Sequence, residues 1–557
     1  MIVDRRALAI PGGLFAVAFC LLPLALLIGA SFRGESGALH QYSELFTNPT
    51  NLRIFADTCS LAVKVTALTL LLGFPTALFL ARLDPAWRNV GLMLILLPYL
   101  TSFLVRTYAW TVILADNGLL NGALLKAGLI RQPLPLLYHK AGVLIGMTHI
   151  MLPFMVLLLV NTMMKIDTRV LRAAASLGSS PTRTFLRVFL PLTAPGIRSG
   201  CILVFALCLG FYITPLALGS EREITLAALI ENRVFRMVDF GFASAAATVL
   251  LLLTCLLFAL PGTDPAVGAL GGTSGTASIF DSARESHERL TVGRMCTGVF
   301  AVSVLIGLIV PTVIVVPMSF NGSEFLGLPR EGLSLRWYEN FFSDARWLSA
   351  TWLSLKAGLA STALATVLGT AAALALAGSR LPGKRLLIGL LVSPLIVPAV
   401  VLGLALYGVF VHLHLLGTLL GITCAHAVVG TAYVYLTVSA SLAQQDPALA
   451  RAAHSLGASP LYSFHSVTLP LIAPGVFTGA LFAFVHSFDE VVVTLFVAGH
   501  VTRTLPLKMW ENVRHEIDPT LAAISSLLLF ASLLALTGLQ WRTLRARRVQ
   551  REKLGAA

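Results

Sequence analysis

The chain has 557 residues, of which 57% are hydrophobic and only 12% charged, and its mean hydropathy is +0.84; an ordinary soluble domain carries about 25% charged residues. Apolar runs of about 20 residues recur from end to end, the length that crosses a bilayer core of about 30 Å, so a soluble enzyme is excluded, as is a β-barrel with its short alternating segments. The net charge of +14 would suggest nucleic acid in a soluble chain; here it reads as basic residues gathered in cytoplasmic loops and the tail, and no nucleic-acid partner is expected.

The sequence predicts an all-α, polytopic membrane protein with about twelve transmembrane helices in two homologous six-helix halves. The first apolar run, 7–31, follows Arg5 and Arg6. It is long, has no clear small-residue cleavage site and precedes further spans, so it reads as an uncleaved first helix with its N-terminus inside. The second span is expected at 58–81 and the third at 90–114, joined by the basic turn Arg82-Leu-Asp-Pro-Ala-Trp-Arg88. The fourth is expected at 141–164, the fifth at 196–219 and the sixth at 240–260, with a polar loop from Lys165 to Ala194 between the fourth and fifth. Residues 262–293 break the pattern: Gly268 to Ala277 is a flexible linker by composition, and the charged segment Asp281 to Arg289 follows. The same plan then restarts, with spans near 296–318, 352–378, 387–412, 421–443, 476–498 and 519–540. The chain therefore divides into a first half at 1–261, a linker at 262–293 and a second half at 294–557. Local echoes support duplication, as in Leu72-Gly73 with Ala77-Leu78 beside Leu368-Gly369 with Ala373-Leu374. With twelve spans and the N-terminus inside, the C-terminus is also cytoplasmic. The basic tail from Arg542 to Lys553 is the strongest part of the inside charge bias.

Seven cysteines (Cys20, Cys59, Cys201, Cys208, Cys255, Cys296, Cys424) form no CxxC pair and mostly lie in apolar runs, which assigns them to packing.

One polar stretch occurs twice. Arg172 to Ile197 and Arg451 to Val476 align without a gap, and 16 of the 26 pairs are identical. Ala173-Ala174 and Ala452-Ala453 favour helix. Gly178 and Gly457 fit a sharp turn where a Cβ is costly. Pro181 and Pro460 suit the first position of a second helix, and Pro191 and Pro470 are expected to end that helix near the membrane. The product is a short helix–turn–helix protruding from the membrane. A single copy is compatible with a plain re-entry loop; two matched copies argue for two equivalent docking surfaces facing the same compartment.

The spacing resembles the cytoplasmic motif of ABC importer permeases, written Glu-Ala-Ala, three residues, Gly, nine residues, Ile-x-Leu-Pro. Ala173-Ala174, Gly178 and Val188-Phe189-Leu190-Pro191 match it, as do Ala452-Ala453, Gly457 and Val467-Thr468-Leu469-Pro470. Both copies depart from it in the same way, with Arg172 and Arg451 in place of the Glu. Leu97-Pro98, Ser102 to Trp110 and Tyr212 to Gly219 are similar to the B-type permease of spermidine/putrescine importers. Ser319-Phe320-Asn321, Trp337-Tyr338, Phe488-Asp489-Glu490 and Leu505-Pro506-Leu507-Lys508 are similar to the C-type permease. The resemblance implies a type I ABC importer permease fold, made here as a fusion of two subunits in a bacterial inner membrane. It also implies docking of both loops on two copies of an ABC ATPase subunit, and a periplasmic or extracellular solute-binding protein. Its cargo is a small organic solute such as spermidine or putrescine, with opines, aminophosphonates and amino-acid-like compounds as alternatives. The chain is expected to bind no cofactor and to do no covalent chemistry, with ATP and Mg on the partner. Gly378-Ser-Arg-Leu-Pro-Gly383-Lys384 imitates a phosphate-binding loop, but Arg385 stands where Ser or Thr would bind magnesium and a membrane span precedes it. A secondary transporter of duplicated halves is the rival class; it has no need of two matched docking loops.

Ionisable residues inside spans are functional candidates. Asp489 and Glu490 fall about halfway along the eleventh span, where carboxylates attract a cationic amine and Tyr108, Trp110 or Tyr212 offer aromatic faces. The alternative is that Asp489 and Glu490 pair with Arg106 or Lys356 and hold the halves together. Arg106 reads as a structural or gating residue, or as the mark of an anionic or zwitterionic solute. His149 and His486 read as packed polar groups.

Overall fold

Lipid offers no partners to backbone N–H and C=O groups, so the apolar runs fold as helices that satisfy themselves. The computed structural model describes residues 8–33, 39–99, 102–220, 223–259, 292–324, 327–329, 332–379, 381–499, 502–515 and 519–534. Among the described residues nine helices are long and apolar enough to span a membrane, or eleven when each of two sharply bent pairs counts as one span. Thr520–Leu534 is a shorter apolar helix at the place of the twelfth. The rest of that span, the basic tail and all but the last two residues of the linker expected at 262–293 lie outside the described residues.

The halves repeat one plan. The first half runs Ala9–Ser31, His40–Thr47, Pro49–Ala81, the bent pair Pro85–Tyr99 and Phe103–Leu114, Lys140–Met164, Thr168–Ser176, Pro181–Leu209, Ile213–Leu218, Leu226–Phe235 and Phe240–Ala259. The second runs Val292–Met318, Arg336–Ser343, Ala345–Leu376, the bent pair Lys384–Leu395 and Ala399–His412, Leu419–Ala443, Pro447–Ser455, Pro460–Asp489, Val492–Val497, Leu505–His515 and Thr520–Leu534. The same local devices recur. Asn48 caps Pro49–Ala81 by accepting from the Thr50 N–H (2.9 Å), and Asp344 caps Ala345–Leu376 by accepting from the Arg346 N–H (2.8 Å). The helix after the short broken segment is tied to the long helix in both halves: the Leu226 N–H donates to Thr58 Oγ1 (2.9 Å) and the Leu505 N–H to Ser354 Oγ (2.7 Å).

The second, third and ninth spans differ from the sequence expectation, as do the fifth and eleventh, which begin earlier, at Pro181 and Pro460, and break after Leu209 and Asp489. The second begins at Pro49, not 58, because Asn48 caps it and Pro49 suits its first turn; its 33 residues give about 50 Å of helix, so it must tilt or protrude. The third and ninth are not straight. In the ninth, Pro394 and Pro398 remove backbone donors, Pro398 is extended, and the two parts meet at 102°. Gly378 and Gly383 of the phosphate-loop imitation have positive φ (64° and 77°), and Gly383 stands immediately before the helix Lys384–Val392, in the turn between two spans.

The first helix of each half reaches across to the other. Ala9–Ser31 packs on Ala345–Leu376, Lys384–Val392 and Ala399–His412 of the second half as well as on Phe240–Ala259 of its own, and Val292–Met318 packs on Pro49–Ala81, Pro85–Tyr99 and Phe103–Leu114 of the first. Small residues allow the close approach: a Cβ on Gly12 would come 3.3 Å from the Leu368 carbonyl, and one on Gly298 3.0 Å from Phe79. His149 is a packed polar group at this crossing, with Nε2 3.0 Å from the Leu308 carbonyl.

Equivalent glycines make an internal control. A Cβ on Gly369 would lie 2.7 Å from Val434 Cβ and 2.9 Å from two backbone atoms of the facing helix, whereas one on Gly73 would meet first the flexible Met155 Cγ at 3.0 Å. Overpacking against backbone costs about 1–3 kcal/mol. Gly369→Ala is therefore expected to lower the melting temperature of the detergent-solubilised chain by several degrees and Gly73→Ala by clearly less. Equal losses in a heated size-exclusion series would contradict this account.

Candidate functional site

Each repeated loop is built the same way. In the first, Asp167 accepts from the Arg169 N–H (2.9 Å) and starts Thr168–Ser176; in the second, Asp446 accepts from the Ala448 N–H (2.8 Å) and starts Pro447–Ser455. The turn uses Gly178 at φ 81° and Gly457 at φ 84°, the left-handed region where a Cβ is costly. Ser180 then caps Pro181 onward by accepting from the Arg183 N–H (3.4 Å), and Ser459 caps Pro460 onward by accepting from the Tyr462 N–H (3.2 Å). Pro191 and Pro470 do not end this second helix, against the sequence expectation: Pro181–Leu209 and Pro460–Asp489 run through them. A π-helical turn precedes each proline, Phe185–Phe189 and Phe464–Thr468, and takes up the missing donor and the clash with the preceding turn.

The loops leave an apolar knob in the open. Leu177 and Leu456, immediately before the two glycines, are each 89% exposed. Arg172, Ala173, Arg451 and Ala452 are exposed, and Ala174 and Ala453 half-buried. Arg172 Nη2 donates to Thr168 Oγ1 one turn back (3.3 Å).

Between the halves lies a cavity of about 320 Å³, lined by Phe103, Arg106 and Tyr212 of the first half and His486, Asp489 and Glu490 of the second, with apolar side chains around them. Asp489 and Glu490 do not sit midway along a continuous span. The helix ends at Asp489, Glu490 is extended (φ −73°, ψ 119°), and Val492–Val497 is a separate short helix. Glu490 makes the break by accepting from the Val493 N–H (2.8 Å), capping that short helix, and its other oxygen is 3.8 Å from His486 Nε2. His426, buried, secures both sides of the break, with Nδ1 2.8 Å from Ser487 Oγ and Nε2 2.9 Å from Thr494 Oγ1. The first half breaks at the equivalent place, between Leu209 and Ile213.

Asp489 joins the halves. Its Oδ2 accepts from the Phe103 N–H (3.1 Å), at the N-terminus of Phe103–Leu114, and the Ser102 hydroxyl and the Arg106 guanidinium lie near the same buried carboxylate. Lys356, considered as its ion-pair partner, lies over the Trp352 ring at 5.4 Å. Of the three aromatic candidates, Tyr212 reaches the cavity wall. Tyr108 is buried away from its described lining, and Trp110 packs edge-on against His149 at 5.4 Å.

At the end of the bundle opposite the loops, a second bridge crosses the halves, and the reading of the sequence misses it. Arg514 Nη1 lies 3.2 Å from Glu231 Oε1 and donates at 3.5 Å to the Tyr212 hydroxyl, and its guanidinium lies over the Trp510 ring at 5.7 Å. The signal that could have found it is positional: Glu231 and Arg514 both fall between the fifth and sixth spans of their halves.

The profile of a family described as binding-protein-dependent transport system inner membrane component matches residues 69–268 and again 365–548, together more than half of the chain. The spermidine/putrescine transport system permease protein PotB of Haemophilus influenzae is 32% identical over 247 residues, 43% of this chain and 86% of the relative. PotB of Escherichia coli (strain K12) is 33% identical over 250 residues, 43% of this chain and 90% of the relative. The putrescine transport system permease protein PotI of the same strain is 36% identical over 228 residues, 40% of this chain and 81% of the relative.

Proposed function

The chain belongs to the family of binding-protein-dependent transport system inner membrane components, and we propose that it is a two-half permease of an ATP-driven importer for a small organic amine of the polyamine class. It is a multi-pass inner membrane protein. The observation that carries the mechanism is the pair of exposed helix–turn–helix loops, Arg172 to Pro191 and Arg451 to Pro470, on two halves that share one cavity. The polyamine assignment is supported by the names of the relatives and by two carboxylates, Asp489 and Glu490, on the cavity wall.

In this reading both loops and both termini face the cytoplasm, and two copies of a separate ABC ATPase grip the loops. ATP and Mg bind there, not on this chain. A solute-binding protein delivers its load at the opposite end. Closure of the ATPases draws the loops together, and the rigid helices Pro181–Leu209 and Pro460–Asp489 carry the motion to the breaks beside the cavity. Hydrolysis returns the cavity to the cytoplasm. The domain limits 1–261, 262–293 and 294–557 are those of two permease subunits joined by a linker.

Gly178→Val together with Gly457→Val tests the coupling. An added Cβ at either glycine meets nothing within 4 Å, so the cost is confined to the turn, about 1–2 kcal/mol each for a left-handed residue. The double variant is expected to insert normally and to lose most ATP-driven uptake in proteoliposomes containing the ATPase and the loaded binding protein. Unchanged uptake would refute the coupling role. Uptake down an ion gradient without any ATPase would replace the importer with a secondary transporter.

A further inference from the structure

The two loops share their shape and one charge. Ala-Ala, Ser-Leu-Gly and Ser-Pro recur in register, and so does the arginine at Arg172 and Arg451. The other cations do not: Arg169, Arg183 and Arg187 in the first loop correspond to Ala448, Tyr462 and Ser466 at the matched positions of the second. From Thr168 to Ile197 and from Pro447 to Val476 there is no Asp or Glu. Each loop therefore presents an exposed leucine knob, Leu177 or Leu456, and five residues before it an exposed arginine, while the carboxylates nearest in sequence, Asp167 and Asp446, cap the loop helices.

We propose that the partner gripping these loops has an acidic groove: a leucine-sized apolar pocket with a carboxylate at its rim that meets Arg172 in one loop and Arg451 in the other. The inference rests on the reading that the loops dock an ATPase, and it specifies that subunit's surface. Charge complementarity selects the partner, because an apolar knob beside a fixed cation is matched by a pocket beside a fixed anion. An arginine, with its planar fork, favours a carboxylate held in place over diffuse negative charge. An anionic lipid surface would need the charge alone; it would not need the left-handed glycine and the leucine repeated in the same register.

The test measures binding of the purified ATPase subunit to the full chain in nanodiscs, with monodispersity as the folding control. Arg172→Glu with Arg451→Glu is expected to weaken binding on the order of a hundredfold, since like charges meet across the contact. Arg172→Lys with Arg451→Lys should keep most of it, and rising salt should weaken the wild type. Replacing the groove carboxylate of the ATPase with arginine should restore binding to the double-Glu chain and weaken it to the wild type. If Leu177→Ser with Leu456→Ser abolishes binding while the double-Glu chain binds normally, docking stands and the acidic groove is overturned. If neither pair weakens binding, the docking reading falls as well. If binding is unchanged but ATP-driven uptake of the double-Glu chain fails only in proteoliposomes of anionic lipid, the arginines read the membrane and the proposal is wrong.

Discussion

Asp489→Asn is expected to leave the chain folded and to raise the half-saturating solute concentration about tenfold to a hundredfold, whereas Asp489→Leu is expected to remove uptake and lower stability together. Oδ2 accepts from the Phe103 N–H across the boundary between the halves, the Ser102 hydroxyl and the Arg106 guanidinium lie near the same carboxylate, and the residue lines the cavity. An asparagine keeps an acceptor for Phe103 and loses the charge. A hydrogen bond to a charged group contributes about 1.5–3 kcal/mol, which is roughly 10- to 150-fold in affinity. Leucine leaves the Phe103 N–H without its acceptor and adds the cost of a buried unmade bond, about 1–3 kcal/mol. The measurements are uptake against solute concentration and thermal unfolding of the same preparations. If asparagine transports like wild type, Asp489 is only a tie between the halves, and the amine contact must be sought at Glu490 or elsewhere.

That distinction is partly legible in the amino-acid sequence alone. A pair of carboxylates in an apolar run is costly enough to mark a special place, and Asp489-Glu490 marks one. The break itself is hidden, because hydropathy averages over a window and Val491 to Val497 continues the apolar run. What makes the break is local: Glu490 turns back to cap Val493, and His426 from another helix holds Ser487 and Thr494 on either side. Histidine–hydroxyl contacts between helices leave no period in a sequence. The loops are more readable, since alanine, glycine and proline at fixed spacing constrain the backbone directly, and the repeat doubles the signal. Pro191 and Pro470 mislead because proline usually stops a helix, and a π-helical turn here accommodates it instead. The reach of Ala9–Ser31 and Val292–Met318 across to the other half is invisible for a different reason. A lipid-facing helix that changes neighbours keeps the same apolar composition, and only small contacts such as Gly12 and Gly298 record where it packs.

Weakening the second bridge is expected to act in the opposite sense, speeding ATP hydrolysis while spoiling transport. Glu231 on Leu226–Phe235 and Arg514 on Leu505–His515 close the end of the bundle away from the loops, with side chains 8% and 24% exposed. For the halves to part at that end, this pair must separate in every cycle. The costs of cutting it are unequal. Arg514→Ala strands Glu231, the more deeply buried charge, and also removes the cation from the Trp510 face and the Tyr212 hydroxyl. Removing one partner of a fully buried pair costs about 3–5 kcal/mol; the partial exposure of Arg514 brings this to about 2–3 kcal/mol. Glu231→Gln leaves an arginine that keeps Trp510 and reaches water, so it should cost about 1–2 kcal/mol. A bias of about 1.4 kcal/mol towards the state open at this end raises its population about tenfold while it remains a minor state. Hydrolysis in the absence of binding protein should therefore rise about tenfold in Glu231→Gln and further in Arg514→Ala, while uptake per ATP falls in both. The double variant Glu231→Gln with Arg514→Ala should show less than the sum of the two single effects, because both remove one contact. Additive effects, or hydrolysis that stays at the wild-type basal rate, would mean that the pair only stiffens two short helices and that the outer end is held shut by the packing of Tyr212 against Trp510 (ring centroids 5.8 Å apart).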